Sequence, residues 1–191
     1  MKRTLNSFLV FVSLAIIISC SKKDPPPSAG EANGALLAGA KGSSKSWNLT
    51  SISESVDGGA AQTVTSTSGI PACESDNVFI FSHTTTQSYQ QTEGAATCTN
   101  GDPSTIESGS WAFSEDGKSL FIEATVYPTS TQFQNEDASG YFLYYFILSI
   151  GKPLTVTQIT ATGLTVTYPG TYTDSNNATH NYVDTLIFTS K

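Results

Sequence analysis

From residue 47 to the C-terminus, apolar and polar positions alternate in short runs separated by Gly, Asn, Asp and Pro. Successive side chains on a strand point to opposite faces, so a period of two marks half-buried β-strands, and no clear 3.6-residue period competes with it. Nine strands are predicted. The first, 47–53, puts Trp47 and Leu49 on one face. In 78–83, Val78 and Ile80 alternate with Phe79 and Phe81, and a polar turn at 84–86 leads into 87–92 as a hairpin. The run 107–114 carries Trp111 and Phe113 on one face; Glu115, Asp116, Gly117 and Lys118 then turn the chain into 120–127, where Leu120, Ile122 and Val126 share a side. Asp-Gly between alternating runs is a strong turn signal. Beyond a polar loop at 128–139 lies 141–150, apolar or aromatic at nearly every position and so expected to be covered on both faces. Strands 154–159, 164–168 and 181–189 complete the set, the last after a loop at 174–177. Even connections of this kind suggest an all-β fold, a closed antiparallel up-and-down β-barrel of about eight or nine strands.

The N-terminal region follows a different pattern. Lys2 and Arg3 precede an apolar run from Phe8 to Ile18, which has the charge and length of a secretory signal and is roughly half of what a membrane-spanning helix needs. Ile17, Ile18, Ser19 and Cys20 resemble the lipobox of bacterial lipoproteins, which implies removal of residues 1–19 and lipidation of Cys20. The membrane is then a partner through that lipid, since two or more acyl chains anchor a protein durably. Localisation is expected in the cell envelope, lipid-anchored, at the outer membrane. Residues 20–44 read as the lipidated N-terminus and a flexible linker: three prolines form a stiff spacer, and a Gly/Ala/Ser-rich stretch follows. A short helix at 31–40 is disfavoured by Gly34 and Gly39. Residues 45–191 then form one domain.

Removing the signal leaves seven basic against sixteen acidic residues, a net charge of −9, with no arginine. Without guanidinium groups or a basic cluster, nucleic-acid binding and phosphate-clamp chemistry are not expected; the acidity reads as a solvated surface. In an oxidising compartment Cys73 and Cys98 are expected to form a disulfide. A hairpin turn centred near residue 85 pairs positions whose numbers sum to about 171, the sum for these two cysteines. Such a bridge would contribute roughly 3.5 kcal/mol by the chain-entropy relation.

Trp47 and Leu49, then Cys73, Asp76, Val78 and Phe81, then Cys98, Gly109, Trp111, Phe113, the Asp116-Gly117 turn and Leu120, resemble the lipocalin-like domain of Gram-negative lipoproteins. Tyr182, Leu186 and Phe188 fit the same pattern, so the resemblance spans about 45–191. It implies an antiparallel barrel with an internal cavity. In true lipocalins Gly-x-Trp lies on the first strand, whereas here it lies mid-chain.

Candidate chemistry is sparse. The two histidines, His83 and His180, belong to no His-x-x-x-His, Cys-x-x-Cys or Gly-x-Ser-x-Gly pattern. Ser82, His83 and Asp76 would make a triad only on paper; Glu115 with Asp116 and Glu136 with Asp137 read as solvated loops, and Asp174 to Asn177 as an Asx-type turn. No catalytic residue, cofactor or metal site is expected. Two readings remain. In one the barrel binds a small apolar or amphipathic ligand lined by Trp111, Phe113, Tyr141 and Tyr145. In the other those aromatics fill the barrel, and the protein is a structural or interaction domain of the envelope. A filled barrel needs large side chains at every level; an open one has small or polar residues at one end.

Overall fold

A computed structural model describes residues 25–64, 75–96, 104–126 and 153–191 of the chain. Its elements in chain order are α1 (Ala29–Ala38), β1 (Ser43–Val56), β2 (Gln62–Val64), β3 (Val78–His83), β4 (Gln87–Thr92), β5 (Thr105–Phe113), β6 (Ser119–Val126), β7 (Leu154–Ile159), β8 (Gly163–Thr173) and β9 (Thr179–Ser190). All pairings are antiparallel. The ring runs β1, β3, β4, β5, β6, β7, β8, β9 and closes from β9 back onto β1. Closure gives every strand of the ring two neighbours and removes the edges that would otherwise invite association.

The first strand makes closure geometrically workable. Its start, Ser43 to Trp47, pairs with β3, while Trp47 to Val56 pairs with β9 along the other edge. A register shift between Leu49 and Ser51 bends it so that both pairings are met. Beyond the point where β3 leaves, β2 takes over the vacated edge, Ile52 to Glu54 opposite Val64 to Gln62. This short extra strand carries too little apolar signal to be read from sequence. Among the described residues β6 meets β7 only at Ser119–Thr155 and Leu120–Leu154. The predicted strand 141–150 lies outside the described residues, as do Cys20, Cys73, Cys98, Tyr141 and Tyr145. Every β3–β4 pair, such as His83 with Gln87, has numbers summing to 170, one less than the hairpin centre read from sequence.

The flexible-linker expectation is corrected at residues 28–44. Residues 29–38 are helical, and the barrel starts at Ser43 rather than Lys45. Ser28 caps the helix: its hydroxyl accepts from Glu31 N–H at 3.1 Å, and the Glu31 carboxylate accepts from Ser28 N–H at 2.7 Å, a reciprocal capping box. At the other end the last-turn carbonyls, which no intrahelical N–H can reach, are taken by the barrel. Trp47 Nε1 donates to Leu37 O at 2.8 Å and Lys45 Nζ donates to Leu36 O at 3.0 Å. Gly30 and Gly34, which count against a free helix, permit close approach here. A Cβ at Gly30 would overlap the Ser114 carbonyl, and one at Gly34 would sit 3.3 Å from the Trp111 ring.

α1 therefore lies across one end of the barrel. The β3–β4, β5–β6 and β7–β8 turns are at that end: Gly42 N–H donates to His83 O, Gly30 N–H to Glu115 O, and Lys45 Nζ to Ala161 O. The β1–β2 and β8–β9 turns belong to the opposite end, the mouth. No helix among the described residues is long and apolar enough to cross a membrane.

Candidate functional site

The inner face changes character along the barrel axis. Near α1 it is packed solid by Trp47, Phe81, Trp111, Leu120, Leu154, Leu164 and Phe188, with Leu37 and Ala38 of the helix pressed into them. Trp111 is 2% exposed; its Nε1 donates to Ser82 O at 3.1 Å, and Phe81, His83 and Phe113 meet its ring edge to face at about 6 Å. Quadrupolar rings favour that T-shaped geometry, so these contacts contribute beyond area burial alone. Trp111 and Phe113, named from sequence as ligand-lining, thus stand in the packed end beneath α1.

Toward the mouth the same faces turn polar. On β9 the inward series Phe188, Leu186, Asp184, Tyr182, His180 passes from apolar to ionisable, opposite Leu164, Val166, Tyr168, Gly170 and Tyr172 of β8. On β1, Leu49 and Ile52 give way to Glu54, paired directly with Asp184. Two carboxylates thus share one level of the inner wall. Burial first, and the Glu54 carboxylate second, push Asp184 up to about 6. Tyr182 is raised by burial, then by Tyr168, Asp184 and Glu54. Its ring lies over Gly170, in the space a Cβ there would fill, 6.3 Å from the Tyr168 ring and 6.4 Å from Tyr172. The result is a wall of tyrosines around a carboxylate pair.

The opposite wall, four places around the ring, carries a buried polar group of its own. Glu107 on β5 and Gln91 on β4 are fully buried cross-strand partners. Tyr89 donates its hydroxyl to Glu107 Oε1 at 2.6 Å. Burial, then the Glu107 charge, raise the Tyr89 phenol far above its usual range, so it stays a donor. A hydrogen-bonded carboxylate with no water contact is tolerated only because its partners are in place.

At the rim, Asp57 of the β1–β2 turn, in the left-handed region at φ 49°, and Asp174 of the β8–β9 turn bracket His180. The Nδ1–Oδ2 distance to Asp57 is 2.7 Å, and Nε2 lies 3.5 Å from Asp174 Oδ2. Tyr172 stacks on the imidazole at 5.1 Å. The hydrogen bond to Asp57 leads in raising His180, and the same bond leads in lowering Asp57; the Ala178 N–H leads in lowering Asp174, whose Asn176 and Ala178 N–H bonds form an Asx-type turn. Asp76 and His83 stand at opposite ends of β3, so Ser82, His83 and Asp76 do not converge. Among the described residues no group of three or more His, Cys, Asp or Glu side chains is arranged to hold a metal ion. A separate groove of about 550 Å³ runs beside α1, between Pro25 and Pro27 and the β3–β4 hairpin, with Glu31, Lys41, His83 and Gln87 on its walls.

Sequence reasoning missed the mouth. Its signal was a charge or hydroxyl at an inward phase of a strand, such as Asp184 two residues before Leu186 and Glu54 two after Ile52. Comparison of the chain with protein-family models and with curated proteins returns no match.

Proposed function

We propose that the protein is an exported lipoprotein, held in the cell envelope by lipid on Cys20, whose barrel takes one small amphipathic ligand at its mouth. The polarised inner face carries this reading. Were the barrel a solid structural element, apolar side chains would fill it at every level, because an unoccupied carboxylate pair in a protein interior costs stability. Here Glu54 and Asp184 sit side by side above an apolar floor, with Tyr168 and Tyr182 supplying surfaces that are apolar on the face and polar at the tip. A barrel of eight strands is wide enough to hold one small ligand. The role we propose is binding: the described polar groups of the mouth offer hydrogen bonds and charge to a ligand.

The packed half beneath α1 favours the second reading, an envelope domain without a ligand. Native mass spectrometry followed by organic extraction, on the full chain purified from its own envelope, separates the two. A co-purifying small molecule of defined mass, lost in Tyr182→Ala, is expected; an apo mass across repeated preparations would favour the structural domain.

A further inference from the structure

The structured chain begins much nearer the anchor than residue 45. Pro25 and Pro27, exposed, already stand at the α1 end, across the groove from Lys41, His83 and Gln87. Five residue steps separate Pro25 from Cys20. Five residues, fully extended, reach about 17 Å. The barrel is longer than this: the eleven residues of β8, at about 3.3 Å each and tilted by roughly 40°, rise nearly 30 Å from the α1 end to the mouth. A tether of that length cannot let the barrel stand mouth-down on the bilayer while Pro25 stays at the far end.

Charge is distributed along the same axis. All four described lysines, Lys41, Lys45, Lys118 and Lys191, are at the α1 end, in the α1–β1 connection, the start of β1, the β5–β6 turn and the C-terminus. Against them at that end stand the side chains of Glu31, Glu115 and Asp116. The exposed Asp116 carboxylate accepts from the Ser114 hydroxyl and the Lys118 N–H. Glu123 lies midway along β6, and the mouth half holds Glu54, Asp57, Asp76, Glu93, Glu107, Asp174 and Asp184, with His180 and, among the described residues, no lysine. An anionic surface attracts lysines within a Debye length and repels the acidic half.

We infer that the α1 end is a docking face for the anionic headgroups of the bilayer that holds the Cys20 lipid, and that the barrel stands on it with the mouth turned away. This rests on the anchoring reading above. Its consequence is that ligand enters from the aqueous side and is not drawn from the supporting bilayer.

The test uses the mature lipidated chain in vesicles of zwitterionic phospholipid with one-fifth anionic phospholipid and a headgroup-linked acceptor dye. A donor is placed through Glu115→Cys, in the α1-end turn, or Ser175→Cys, at the rim, with the wild-type chain labelled alike as background. The mass of the N-terminal peptide is measured first. With acyl chains on Cys20, energy transfer from position 115 should exceed that from position 175 severalfold, and the contrast should shrink in Lys41→Gln/Lys118→Gln/Lys191→Gln. Equal or reversed transfer in an acylated protein overturns the docking inference alone; a chain without acyl groups overturns the anchoring reading with it.

Discussion

Asp184 is the residue at which stability and the site conflict most directly. Its carboxyl titrates near 6 in the folded chain because burial and Glu54 disfavour the charged form. A group whose folded pKa is raised stabilises the fold fully below its unfolded value, near 3.8; that contribution is lost as pH rises through the folded one. Ionisation at pH 8 therefore costs on the order of 1–2 kcal/mol, after discounting for the solvent that still reaches the group. Asp184→Asn should raise the urea midpoint at pH 8 and leave it unchanged at pH 4. A gain that persists at pH 4 would assign the effect to something other than charge. The rim histidine runs the other way. His180 is raised, so its bond to Asp57 helps the fold below 6.5 and is lost as pH rises through the folded value; Asp57 and Asp174 are lowered, and their contribution fades as pH falls through their folded values. The three are strongest together in mildly acid solution. An NMR titration of the His180 Cε1 proton should give a midpoint above 6.5, falling toward the ordinary value in Asp57→Asn.

At the scale of elements, the strands were legible and the helix was not. β3, β4 and β7 begin and end where alternation and turn residues put them, and β5, β6 and β9 differ by one or two residues at their ends, whereas β1 and β8 run about twice the length read from sequence, over Ser43–Val56 and Gly163–Thr173. Alternation is a short-range signal, set by the pleat of one strand, and one sequence suffices to show it. The helix depends on a long-range fact: Gly30 and Gly34 lie against Ser114 and Trp111, more than seventy residues away. Read alone, three glycines weaken a helix; packed, two of them let it lie close to the barrel. The local clue was Ser28 followed by Glu31, a capping box that the glycines obscured. Gly30→Ala improves intrinsic helix propensity by about 1 kcal/mol, yet it should lower the urea midpoint, because the new methyl meets a backbone carbonyl and the helix must shift by a cost of roughly 1–3 kcal/mol. Ser28→Ala should cost about 1 kcal/mol through the lost cap. Red-shifted tryptophan emission in Gly30→Ala, absent in Ser28→Ala, would locate the damage at the interface with Trp111.

For the molecule as a whole, the candidate site was hidden by the same property that made the barrel readable. Alternation says which residues share a face but gives no height along the axis, and height separates the packed Trp111 from the mouth of Glu54, Asp184 and Tyr182. Only the ring closure of β9 onto β1 brings those three together. It also fixes what the helix does. Leu37 and Ala38 have no exposed surface, and Trp47 Nε1 bonds to Leu37 O, so α1 completes the core rather than decorating it. Removing the helix strips a buried leucine worth about 2–3 kcal/mol and leaves the indole N–H without its partner at a further cost of about 1–3 kcal/mol. Against a typical total of 5–15 kcal/mol that is a large share. A chain cut at 45–191, the domain that alternation alone would define, should bind a hydrophobic dye, show red-shifted emission from Trp47 and Trp111, and melt well below a chain of 25–191. Adding residues 25–44 back as a peptide should restore the blue-shifted emission. Equal melting of the two chains would mean that the barrel carries its own core and that α1 only rests on its end; the mouth would then be as rigid without the helix as with it.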